Sequence, residues 1–169
     1  MKPLVELSHV GFFVIAVTGV LFATDLSTSA IGTWKLNVAE SKYSSGSVPK
    51  SGTRTFEERP DGVSVSYEYV EPDGSTIKYG FTAGFDGKDY PISGAGTSSW
   101  REDMVGGADT IALRRSGSSV YAGALKKSGN VVMTTRTVVS KDGKVTTLTA
   151  SGVDAKGQPT KNVSVWEKQ

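Results

Sequence analysis

Carboxylates, lysines and serines are what this chain has left for catalysis, because it holds no cysteine and its single histidine, His9, sits just ahead of an apolar N-terminal run. That excludes Ser-His-Asp and Cys-His nucleophiles, His/Cys zinc sites and disulfide scaffolds from anything built on the rest of the chain. The adjacent acids Glu57-Glu58 and Glu102-Asp103 are the candidates left for general acid–base work. Neighbours on a strand face opposite sides, so Glu57 and Glu58 cannot share a site. The aspartates of the Asp-Gly pairs are occupied by turn geometry. Gly94-Ala95-Gly96 lacks the third glycine and following helix of a phosphate loop. No catalytic residue, cofactor or metal is expected.

The residues that remain suit binding. Tyr67, Tyr69, Tyr79 and Phe81 alternate with polar residues in two successive segments and should share an inward face. They either line a pocket or fill the core. Arg136, flanked by Thr135 and Thr137, is a candidate anchor for an anionic ligand if it points inward. An unpaired guanidinium in a dry interior is costly, so there it must meet a carboxylate, water or an anionic ligand. Trp100, beside Arg101, Glu102 and Asp103 in a Gly/Ser-rich stretch, is a candidate lid or partner contact.

Positioning falls to strands. Seven Xaa-Gly pairs (at 61–62, 73–74, 86–87, 116–117, 128–129, 142–143 and 156–157) recur mostly 12 to 14 residues apart. Asp-Gly and its kin supply the positive φ angles of two-residue hairpin loops, so each pair predicts a turn between antiparallel neighbours. Ten strands are predicted, at 33–38, 53–59, 63–70, 75–83, 88–92, 109–115, 119–126, 131–140, 144–153 and 161–167. A meander of that length either closes or leaves bare edges, and closure gives a barrel whose interior can hold a small molecule. Residues 39–51 read as a long connection with a helical turn at 39–43. Residues 93–108 read as an inserted loop. Both are expected to cover the barrel mouth.

The first thirty residues follow another rule. An uncharged stretch over 7–23, apolar from Val10, precedes small residues ending Thr28-Ser29-Ala30. About 14 apolar residues fall short of the roughly 20 a membrane span needs, and Thr28 and Ala30 fit the small-residue cleavage rule. A cleavable signal helix over 1–30 is expected, cut near Ala30, with a rival cut after Ala23 that places bulky Leu21 three positions back. Without cysteine, a lipid-anchored lipoprotein is excluded. Residues 31–169 then form one domain, secreted or periplasmic, monomeric, with no stable membrane span after cleavage. Loss of Lys2, Glu6 and Asp25 takes 19 basic and 17 acidic residues to 18 and 15. The basic residues lie singly or in pairs, so no nucleic-acid footprint follows.

Two resemblances arise from short motifs. The opening Gly32-Thr33-Trp34-Lys35-Leu36, the ten-strand meander and the closing Val165-Trp166-Glu167-Lys168 resemble the calycin superfamily, in layout most its fatty-acid-binding branch. The likeness implies that Trp34 packs across one end of the barrel. The chain is also similar to uncharacterised, exported, lipocalin-like bacterial proteins, through the same opening, the run from Asp86 to Pro91, Asp109-Thr-Ile-Ala-Leu113 and Ser140-Lys-Asp-Gly-Lys144. That likeness carries no activity. Fatty-acid-binding proteins grip a carboxylate with Arg-x-Tyr on the last strand, where this chain has Ser164 and Trp166. Their other inward arginine has its nearest counterpart in Arg136.

The expectation is an all-β, antiparallel, calycin-like up-and-down barrel of about ten strands. It binds a small hydrophobic or amphipathic ligand, with Tyr67, Tyr69, Tyr79, Phe81 and Arg136 at the site. The competing reading is a non-enzymatic structural or interaction module of the cell envelope with a filled barrel. A ligand pocket of roughly 300 Å³ or more favours the first, inward side chains packed solid the second.

Overall fold

A computed structural model describes residues 29–44, 48–94, 107–153 and 157–169. The expected signal helix, Trp100 and most of the loop around it lie outside the described residues. Ten strands run in order: β1 Gly32–Lys42, β2 Ser51–Arg59, β3 Gly62–Val70, β4 Thr76–Ala83, β5 Asp86–Gly94, β6 Thr110–Gly117, β7 Val120–Lys127, β8 Asn130–Val139, β9 Val145–Val153 and β10 Pro159–Lys168. Each pairs antiparallel with its sequence neighbours. β1 also pairs with β10, through Leu36 opposite Trp166, and closes the barrel. Closure leaves no free sheet edge, which is how a ten-strand meander avoids sticking to its own kind. This is the calycin-like up-and-down architecture expected from the sequence, and among the described residues it contains no helix.

Period-two alternation decides which way each side chain faces. On β3, Val63, Val65, Tyr67 and Tyr69 are buried, while Ser66 and Glu68 are exposed. Opposite them on β4, Ile77, Tyr79, Phe81 and Ala83 face the same interior. Outside, Glu68 lies opposite Lys78 and forms an ion pair of 2.8 Å between exposed groups, a contact worth at most about 1 kcal/mol. The register is held by the burial of one face, since a slip of one residue would turn every aromatic outward.

The turns follow the expected chemistry with local exceptions. Ser128 and Gly129 both have positive φ, 49° and 81°, as a type I′ hairpin requires. Asp86-Gly87 is not a turn. β5 begins at Asp86, and Gly87 with φ 77° sits where the register against β6 shifts between Asp86 and Asp89. The pair makes a bulge, a glycine role that its Asp-Gly spelling does not distinguish from a turn. At the next pair β6 runs through Gly117, and the turn falls on Ser118 and Ser119.

The expected helical turn at 39–43 is also absent, because β1 continues to Lys42 through a register shift after Asn37. Ser41 takes over part of the ladder there. Its hydroxyl donates to the Asn37 carbonyl at 2.7 Å and accepts the Val165 N–H at 3.0 Å. The connections from β1 to β2 and from β5 to β6 leave the barrel at the same end, opposite Trp34.

That other end is closed by the chain itself. Trp34 is fully buried, and its indole N–H donates to the Ala30 carbonyl at 3.0 Å. Lys168 Nζ donates to the Ser29 carbonyl at 2.9 Å and lies 5.5 Å from the centre of the Trp34 ring. Ala30 is only 4% exposed. Residues 29–31 are therefore part of the barrel's floor.

Candidate functional site

The interior is hollow. A cavity extends from Ala30 at the closed end to Tyr43 and Asn162 at the other. Within it the centre of a water molecule can move through about 90 Å³, several times the roughly 10–15 Å³ that one ordered water occupies on that measure. That is below the roughly 300 Å³ at which small-molecule sites begin, so the interior is neither packed solid nor as wide as an open ligand pocket. Ten strands make a wider cylinder than the eight whose interior side chains just fill, so the space follows from strand number. Phe56, Tyr79, Phe81, Phe85 and Ile92 face it and are only partly buried.

One wall is aromatic. Tyr67 and Tyr79, opposite each other on β3 and β4, stack with ring centres 4.6 Å apart and planes 7° from parallel. Tyr69 continues the stack 6.1 Å from Tyr67, and Trp166 meets Tyr69 edge-on at 5.7 Å. Such offset and edge-on pairs are the favoured arrangements of ring quadrupoles. The Tyr69 and Tyr79 hydroxyls hydrogen-bond to each other. Burial pushes both well above the ordinary phenol range, with the neighbouring tyrosines adding to the rise, so both remain neutral donors and acceptors.

The facing wall is mainly aliphatic, from Ile111, Leu113, Leu125, Met133 and Val139 on β6 to β8, with Thr135 and Thr137 between the last two. Between the two walls, β9 and β10 contribute Thr146, Ala150, Asn162 and Ser164. The cavity is therefore mostly apolar, with hydroxyl and amide groups spread over β8, β9 and β10. That division matches a molecule with an apolar body and a polar end.

Of the expected ligand contacts, Tyr67, Tyr69, Tyr79 and Phe81 all line the cavity. Arg136 does not. It is exposed on the outer face of β8, opposite Ala122 and Thr149. Met133 and Val139 are buried on the other face and fix the parity of the strand, so the guanidinium stays in water and needs no partner. Trp100 lies outside the described residues.

A different arginine points inward. Arg54 on β2 is 0% exposed. Its guanidinium carbon sits 4.6 Å from the Trp166 ring centre, 4.8 Å from Phe56 and 5.9 Å from Tyr67. Nη2 donates to Thr146 Oγ1, while Nε and Nη1 have no hydrogen-bond partner among the described residues. Between threonines, Arg54 reads as an ordinary surface cation. The signal that identifies it is parity, because it shares a face with Phe56, the only large apolar side chain of β2.

Comparisons with known proteins add little beyond overall likeness. No family model matches the chain, and no curated protein does. Solved structures that resemble it include the zebrafish ileal bile acid-binding protein complexed with cholic acid, at 10% identity and TM-score 0.48, covering 83% of this chain and 99% of that one. A redesigned β-barrel bound to DFHBI aligns at 12% identity and TM-score 0.44, covering 84% and 97%. The siderocalin Ex-FABP aligns at 11% identity and TM-score 0.37, covering 83% and 71%.

Proposed function

We propose that this chain is an exported binding protein that encloses one small amphipathic molecule inside its barrel and catalyses no reaction on it. The observation that carries the reading is the cavity of about 90 Å³ for water centres. Inward side chains packed solid would leave no such space. Its lining supports an amphipathic ligand over a purely apolar one, since Thr135, Thr137, Thr146, Asn162 and Ser164 on β8 to β10 lie across from a wall of aromatic residues on β3 and β4. Binding would bury the apolar body at about 25 cal/mol per Å² of apolar surface removed from water.

The test is extraction of natively purified protein with organic solvent and mass spectrometry of what is released, together with melting temperature across a panel of lipophilic compounds. A co-purified amphiphile, or a rise of several degrees with a subset of the panel, supports the reading. An empty extract and no shift with any compound would sink it.

A further inference from the structure

The geometry points to an anion-recognition subsite on the β9–β10 wall, in which the hydroxyls of Thr146 and Ser164 contact one anionic group and Arg54, behind them, supplies the balancing charge. This deepens the reading of the barrel as a binding protein and rests on it. Arg54 carries a full positive charge with no carboxylate in ion-pair range among the described residues. Two of its three nitrogens lack any partner among those residues. Among the described residues, no Asp, Glu, Lys or Arg lines the cavity. The interior therefore holds one unbalanced cation against a wall of rings and hydroxyls. Ring faces attract a cation without neutralising it, and a buried charge left without a counter-charge is costly.

The hydroxyls tell a ligand where to sit. A hydroxyl has one proton to give and two lone pairs to accept with. Thr146 Oγ1 spends a lone pair on Arg54 Nη2. Ser164 Oγ spends one on the Trp166 indole N–H at 2.9 Å. Both residues line the cavity, and neither hydroxyl proton finds an acceptor among the described residues. With Thr146 paired to Trp166 across the ladder, Ser164 is its diagonal neighbour on the inward face, about 7–8 Å away, so a carboxylate or sulfonate would meet both hydroxyls by sitting between them with one oxygen toward each. Two donors polarised from behind, one of them by a cation, select an anion over a neutral acceptor. Arg54 acts through Thr146 and touches no ligand atom, so it is a positioning residue.

Two fluorescent probes isolate the charge: 8-anilinonaphthalene-1-sulfonate, and the neutral N-phenyl-1-naphthylamine with the same ring skeleton. Arg54→Met is expected to weaken the sulfonate probe at least tenfold and to leave the neutral one within twofold, with Arg54→Lys intermediate. Thr146→Val, close in shape and removing only the hydroxyl, should give the same selective loss, and it carries the test if Arg54→Met does not fold. Arg136→Met, on the outer face, should change neither. Equal weakening of both probes, or of neither, would overturn the subsite. Should the wild type bind the neutral probe and reject the sulfonate, the subsite fails and the cavity reading stands. Binding of neither probe would overturn both.

Discussion

Trp34 donates its indole N–H to the main-chain carbonyl of Ala30 at 3.0 Å, with both residues buried, so the segment ahead of the first strand is built into the barrel floor. Lys168 reinforces it by holding the Ser29 carbonyl at 2.9 Å. A chain that began at Ile31 would leave the Trp34 N–H buried without an acceptor, and would place a charged amino group where Ala30 now packs.

A protein begun at Ile31 is therefore expected to be less stable than one begun at Ser29 by about 1–3 kcal/mol, the cost of an unsatisfied buried donor. Urea midpoints of the two forms measure it, and equal midpoints would mean the floor contact contributes nothing. Under the proposed export, the first residue of the cleaved chain is expected at or before Ser29, which favours a cut such as the one after Ala23 over one near Ala30. N-terminal sequencing that starts at Ile31 would refute this.

Tyr67 and Arg136 give opposite expectations although both were candidates for the site. Tyr67→Ala removes a buried ring stacked on Tyr79, and should cost about 3–5 kcal/mol of stability. Arg136→Met acts on an exposed outer position, and should fall within about 0.5 kcal/mol of the wild type. Denaturant unfolding of both variants checks the pair; a large loss from Arg136→Met would mean its strand faces the other way.

The contrast shows what the sequence made legible. Strand number, closure and the inward tyrosines follow from turn spacing and from alternation that is unambiguous in β3 and β4, where aromatics and valines oppose serines and a glutamate. β8 offered no such separation, because threonine and valine occupy both of its faces, and β-branched residues suit either side of a sheet. Arg54 was hidden for a related reason. Its neighbours Thr53 and Thr55 mask the one parity clue, Phe56, and charge by itself argues for solvent. Its inward placement is a tertiary property, set by where β2 pairs with Tyr67 and Trp34.

Alkaline pH should weaken the fold through Tyr69 and Tyr79. Burial raises both above the ordinary value of 10.0, so the folded state binds these protons more tightly than the unfolded chain. Their contribution is fully present below pH 10 and is lost as pH rises beyond it. Urea midpoints between about pH 8 and 12 should be flat at first and then fall, and the Tyr69→Phe, Tyr79→Phe double variant should fall less steeply. An identical decline in the double variant would show that other groups cause it.

The central claim is that the barrel interior receives a ligand, and the most direct measurement is a fluorescence titration of N-phenyl-1-naphthylamine into lipid-stripped wild type and Ala150→Phe. Ala150 lines the cavity between Thr135 and Asn162, so a phenyl ring added there fills the space a ligand would use. Saturable one-to-one binding by the wild type, weakened at least tenfold in a folded Ala150→Phe, is the predicted result. Equal affinity in the two proteins, or no saturable binding by the wild type, would contradict the claim.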